Sequence, residues 1–334
     1  MTTRKIRVFS GIQPSGMLHI GNYLGAIQQW VAGQGAKVNF ICIVDLHAIT
    51  VPQEPEALRR QTRELAALLL AAGIDPQRTT LFVQSHVRAH AEGCWVLNCV
   101  TPIGWLERMT QYKLKAATQE SVLTGLLDYP VLQAADILLY DTDEVPVGDD
   151  QKQHVELTRD IAQRFNGLYG ETFVVPRPVI RASGARIMAL NDPTAKMSKS
   201  DFTRGHAIRI TDTPDEIRWV LKRAVTDAVG MVGFSDDPAR AGVNNLLQIF
   251  ELFTGQSRPA IEAHFAGKGY GALKSDVGEA VIEGLRPIRE RFQALVAAPD
   301  ELDRILAIGA EQARAVAEPK IRQVMERVGF VLPA

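Results

Sequence analysis

Apolar positions in the first half of the chain switch repeatedly between a period of two and a period near 3.6. "KIRVFSGI" (5–12), the nearly unbroken "VNFICIVD" (38–45) and "TLFVQS" (80–85) read as strands, the second as one buried on both faces. Between them, Ile20, Leu24, Ile27 and Val31 recur at helical spacing within "HIGNYLGAIQQWVAG" (19–33). "PEALRRQTRELAALLLAAG" (55–73) opens on a helix-tolerant proline and closes on glycine. Strands alternating with helices of this length predict a doubly wound parallel sheet, an α/β class whose ligands sit at the C-terminal ends of strands. Residues 104–140 predict helix with a break at Pro130, and "DEVPVG" (143–148) leads into a helix over 150–166. From 214 to 334 helical periodicity runs almost throughout. The pattern divides the chain into an α/β part, residues 1–204, and a mostly α-helical part, residues 205–334.

Composition narrows the function classes. The chain has 334 residues, of which 46% are hydrophobic and 22% charged, as in ordinary globular proteins. Thirty-seven Lys and Arg against 38 Asp and Glu leave a net charge of -1, so an anionic partner must be met by local patches. Cys42, Cys94 and Cys99 form no Cys-x-x-Cys pair, which argues against a zinc site and a disulfide framework and fits a reducing cytoplasm. The longest apolar stretch, Leu65 to Ala72, is far short of a membrane span. His86 and His90 stand four apart, but no glutamate-containing metal signature accompanies them.

Two stretches carry candidate chemistry. "GIQPSGMLHIGN" (11–22) joins the first strand to the first helix; Gly11, Gly16 and Gly21 permit close backbone approach, and the helix N-terminus favours an anion. His19 and Asn22 are candidate contacts there, with helix capping as their ordinary role. It matches neither G-x-G-x-x-G nor a P-loop. "TAKMSKSDF" (194–202) sets Lys196, Ser198, Lys199 and Ser200 around Met197. Read alone, it is a solvated turn. Together, a helix N-terminus and two flexible ammonium groups suit the two sides of one triphosphate.

With those residues in view, "PSGMLHIGN" resembles the "HIGH" signature, and "KMSKS" is the second signature, of class I aminoacyl-tRNA synthetases. The chain resembles the bacterial-type tryptophanyl branch nearly end to end, through "FSGIQPSG" (9–16), "DLHAIT" (45–50), "LERMTQYK" (106–113), "YPVLQAADILLY" (129–140) and "VPVGDDQKQHVELTRDIAQRFN" (145–166). Asn22 in place of the second histidine is usual there.

The resemblance implies a Rossmann-like catalytic domain ending in the lysine loop and a helical domain that reads the anticodon. It implies that L-tryptophan attacks the α-phosphorus of ATP, with Mg²⁺, and that tRNA(Trp) takes the aminoacyl group. His19, Asn22, Lys196 and Lys199 would contact the transition state. Gln13, Pro14, Ser15, Gly21, Asn22, Gly148, Asp149, Asp150, Ile187, Lys196, Met197, Ser198, Lys199 and Ser200 would meet ATP, with Met197 against adenine. Asp149 stands where the family usually has glutamate. Lys113 or Lys115 could add charge, a solvated helix face being their ordinary role. Phe9, His47, Tyr129, Gln133, Asp136, Val145, Val147 and Gln151 would surround the amino-acid side chain, Asp136 accepting the indole N–H. Gln133 departs from the methionine of bacterial relatives. It creates the Tyr-x3-Gln-x2-Asp spacing that tyrosyl enzymes use, so a tyrosyl enzyme stays as the alternative, beside a non-catalytic tRNA-binding paralogue. Residues 320–330, Arg286 and Arg289 are candidate tRNA contacts. A cytoplasmic homodimer joined through the 85–140 region is expected, with neither DNA nor membrane as partner.

Overall fold

The computed structural model of the chain describes residues 4–16, 18–117, 121–148, 151–180, 187–198, 201 and 203–333. Five parallel strands form its sheet: β1 (Arg7–Ile12), β2 (Val38–Ile43), β3 (Thr79–Val83), β4 (Glu144–Val147) and β5 (Arg177–Ile180), in the order β3-β2-β1-β4-β5. β1 pairs with β2 from Arg7 opposite Val38 to Ile12 opposite Ile43, and with β4 on its other side. The chain steps outward through β2 and β3 and then returns to the far side of β1. The crevice beyond the C-terminal ends of β1 and β4 is therefore the switch point at which such sheets hold ligands. β4 and β5 do not stand out in the sequence pattern, because each has four residues and one proline, Pro146 or Pro178, which lacks the ladder's N–H.

Alternate strand residues feed opposite faces. Ile41, Ile43, Leu81 and Val83 join one core, beneath the helices Pro55–Ala71, Ala241–Thr254 and Tyr270–Val296. Phe40, Cys42, Val44 and Phe82 join the other, beneath Ala89–Asn98, Thr124–Leu138 and Lys152–Tyr169. The break expected at Pro130 is corrected: this proline lies inside the helix Thr124–Leu138. An interior proline costs about 3 kcal/mol, and here burial of Pro130 with Leu126, Val131 and Ala134 offsets it. The interruptions fall instead between the helices Ile103–Glu107, Thr110–Ala116 and Thr124–Leu138.

The last helix, Pro299–Arg327, returns to the sheet. Leu302 and Leu306 belong to the first core, whereas Ala310, Ala313, Ala317, Ile321 and Val324 belong to the second. The helix thus crosses the outer edge of the sheet at β3 and covers it, which removes an edge open to pairing with other chains. Gly309 marks the crossing, since a Cβ there would stand 1.8 Å from the carbonyl oxygen of Leu81. Gly309→Val is expected to cost about 3 kcal/mol, the upper part of the usual overpacking range, because the clash is with backbone. Denaturant unfolding reads this; an unchanged midpoint would mean the helix does not press on β3.

Candidate active site

A cavity of about 400 Å³ opens at the switch point. Phe9 and Gly11 reach it from β1, His47 from the turn after β2, Val145 and Val147 from β4, and Tyr129, Gln133 and Asp136 from one face of the helix Thr124–Leu138. Gln151, Gln13 and Gly148 also line it. All eight residues expected around an amino-acid side chain thus meet in one cavity. Lys115 lines it as well, its Nζ 5.3 Å from the centre of the Tyr129 ring, whereas Lys113 is not part of its lining.

Asp136 is the cavity's fixed charge. It is 2% exposed, and its carboxylate accepts from three side chains: Oδ2 from His47 Nε2 at 2.8 Å, and Oδ1 from Gln84 Nε2 and His90 Nδ1, each at 2.6 Å. Burial pulls its pKa upward, but the hydrogen bonds from His47 and His90 hold it well below the usual carboxylate range. An ionised carboxylate only accepts, so both ring nitrogens facing it carry hydrogen. Tyr140 lies 2.9 Å from the other nitrogen of His90. Burial, then Cys42 and Asp136, push its hydroxyl far above the usual phenol range, so it keeps its proton and can donate. Three of about four acceptor positions on the carboxylate are filled, which leaves one, on Oδ2, for a donor in the cavity.

Tyr129 behaves differently. Its hydroxyl is 2.9 Å from His154 Nε2, and burial pushes its pKa up to about 12. The hydroxyl that the Tyr-x3-Gln-x2-Asp spacing singles out therefore has a protein partner before any ligand enters.

The nucleotide side begins where β1 ends. The helix Ile20–Asn22 runs through a π turn, Tyr23–Ile27, into Gln28–Ala32. Asn22 Oδ1 accepts from the His19 backbone N–H at 3.1 Å, a local cap that leaves the Asn22 amide as donor. Gly21 must lack a side chain: its Cβ would lie 2.9 Å from His19 Nδ1 and 3.6 Å from Ile187 Cβ. Ser15 Oγ donates to Gln13 at 3.3 Å, and Pro14 is buried.

The lysine turn sits on a small hairpin in which Met188 bridges Lys196, Ala189 N–H donates to Ala195 and Met197 N–H donates to Ile187. Ile20 N–H donates to Ile208 and Ile210 N–H to Leu18, so the segment just beyond this hairpin pairs with the His19 turn. The two sequence signatures are therefore neighbours. Met197 is 2% exposed and belongs to the apolar cluster of Leu18, Ile20, Ile187 and Ile208, where a thioether packs well. Lys196 is exposed and Ser198 half-buried. Asp149, Asp150, Lys199 and Ser200 lie outside the described residues.

Several site residues escaped the pattern. Gln84, His90, Tyr140 and His154 act through packing across elements that spacing does not reveal. The His86/His90 pair drew notice only as a metal motif, yet His90 is fully buried on Asp136 while His86 is exposed. Two candidate tRNA contacts are already engaged: Lys320 pairs with Asp141 at 2.7 Å, and Arg286 pairs with Glu283 and Glu290.

A switch-point cavity with a buried acceptor, beside joined histidine and lysine signatures, defines a class I synthetase site. The family model "tRNA synthetases class I (W and Y)" matches residues 1–286, and the chain belongs to that family. Among its relatives, tryptophan–tRNA ligase of Wolinella succinogenes is 53% identical over 98% of this chain and 99% of its own length. That of Gloeobacter violaceus is 52% identical over 99% of this chain and 98% of its own. The tryptophanyl-tRNA synthetase of Campylobacter jejuni, solved with ADP and tryptophan, superposes with a TM-score of 0.88 at 38% identity, covering 97% of this chain and all of that one.

Proposed function

We propose that this chain activates L-tryptophan with ATP and transfers it to tRNA(Trp), releasing diphosphate and AMP. One observation carries the choice of amino acid: a walled cavity whose fixed polar feature is an ionised acceptor, Asp136, with an open position on Oδ2. An indole N–H is a donor only and suits it. The names of the bacterial relatives support the same reading.

In this mechanism the tryptophan carboxylate attacks the α-phosphorus in line, and no protein nucleophile is needed, because positioning and charge stabilisation carry the transfer. Val145, Val147 and Phe9 hold the ring, Gln133 and Gln151 the polar edge. His19 and Asn22 contact ATP at the helix N-terminus with Gln13, Pro14, Ser15, Gly21, Gly148, Asp149, Asp150 and Ile187. Lys196 and Lys199, with Ser198 and Ser200, neutralise the leaving pyrophosphate. Mg²⁺ arrives with ATP as part of the substrate, held mainly by phosphate oxygens.

Residues 1–204 form the catalytic domain in this reading. Residues 205–334 bear the anticodon-reading surface, their last helix serving the catalytic sheet as well. Trp95, Ile103 and Leu114, which are 69%, 63% and 60% exposed, form the core of a homodimer contact in the 85–140 region. Among the described residues no helix is long and apolar enough to cross a membrane, and a cytoplasmic location is part of the proposal.

ATP–pyrophosphate exchange, run with tryptophan and tyrosine in parallel, tests the reading. Exchange driven by tryptophan is expected. Exchange driven by tyrosine would select the tyrosyl alternative, and none with either would leave a non-catalytic tRNA-binding paralogue.

A further inference from the structure

Lys196 is exposed although its backbone is bridged to Met188, so the contacts that hold this hairpin fix where the lysine stands relative to the His19 helix. Two side chains outside both signatures do this. Asn245, 4% exposed in the helix Ala241–Thr254, accepts from Met188 N–H at 2.9 Å and donates to Met188 O at 3.0 Å. It pins the hairpin strand that bridges Lys196.

His206 holds the other strand. It is 3% exposed, and its Nε2 accepts from the Ser198 backbone N–H at 2.9 Å. The ring hydrogen therefore sits on Nδ1, which lies 3.1 Å from Asp201 Oδ2 at an angle too poor for a hydrogen bond. The backbone of His206 also accepts from Leu190 N–H at 3.0 Å, at the foot of the same hairpin.

The segment to which His206 belongs is anchored on both sides. Two residues earlier, the Arg204 guanidinium stacks 4.0 Å from the Trp219 ring centre, with Arg223 at 4.2 Å. Two residues later, Ile208 is fully buried and its carbonyl accepts from Ile20 N–H at 3.0 Å. A single run of backbone thus carries both the grip on Ser198 and the grip on the His19 helix.

We propose that His206 is a positioning residue of the activation step, whose Nε2 holds the Ser198 end of the lysine turn in register with the His19 helix. This rests on the proposed tryptophan activation. The turn meets pyrophosphate only as charge develops there, so losing the grip should lower the rate of adenylate formation and leave tryptophan binding intact. An error near 1 Å in such placement can cost about 100-fold in rate.

The experiment compares wild type, His206→Ala and His206→Gln in tryptophan-dependent ATP–pyrophosphate exchange, with His206→Phe replacing Ala should Ala not fold. Gln keeps an acceptor at nearly the reach of Nε2, whereas Ala and Phe have none. The expected result is a fall in kcat of about tenfold or more for the acceptor-free variant, from misplacement of the turn. KM for tryptophan should stay within about twofold, and Gln should restore most of the rate. A kcat near wild type without the acceptor would overturn the proposal. So would a tryptophan KM that moves as far as kcat, or a Gln variant no better than the acceptor-free one. If wild type itself shows no tryptophan-dependent exchange, the functional reading has failed before this one is reached.

Discussion

Asp136→Asn is expected to lower kcat/KM for tryptophan on the order of 100-fold, since a hydrogen bond to a charged group is worth about 1.5–3 kcal/mol. The same change should destabilise the fold by about 3–5 kcal/mol, the usual cost of removing one partner from a buried charged network. Oδ1 accepts from Gln84 and His90, and Oδ2 from His47. An amide NH2 in either place would set a donor against a donor. The folded protein holds this carboxyl below its usual range, so its contribution is fully present above that range and is lost as pH falls through the folded value. At and above neutral pH the stability gap should therefore be flat. Exchange kinetics and denaturant unfolding read the two effects separately. A loss of stability with an unchanged tryptophan KM would show that Asp136 supports the cavity without touching the ligand.

Lys196→Ala should lower exchange kcat by about 10²–10³, the scale found for removing one group that stabilises developing charge, with tryptophan binding nearly untouched. Lys196 is exposed and leaves no buried partner behind, so the unfolding midpoint should hold. Lys199→Ala, outside the described residues, is expected to act in the same way. Equal losses in kcat/KM and in ATP binding would mean the ammonium grips the ground state and does nothing special for the transition state.

The first three strands and the helix 55–73 were legible because continuous apolar runs and clean helical spacing survive in a single sequence. β4 and β5 were not, since two prolines and four-residue lengths erase the pattern while the neighbouring strands still recruit them. The eight residues expected around the amino-acid side chain came from motif resemblance, and the fold brings them together in one cavity at the switch point. What spacing could not show is the support beneath them. His90 reaches Asp136 across 46 positions and Gln84 across 52, pairings that exist only once the sheet is assembled. The burial of Met197 was hidden for a related reason: a methionine between lysines looks like part of an exposed turn, and only the assembled cluster of Leu18, Ile20, Ile187 and Ile208 covers it.

The path of the last helix has a consequence for synthesis. Pro299–Arg327 is made after every strand it shelters, and Gly309 cannot meet Leu81 until then. A nascent chain that has already paired β1, β2 and β3 still offers a bare β-edge, the feature that invites one polypeptide to join another. Protection from self-association thus comes only after every strand of the sheet has been made, and a product truncated before Pro299 would be aggregation-prone as well as unstable.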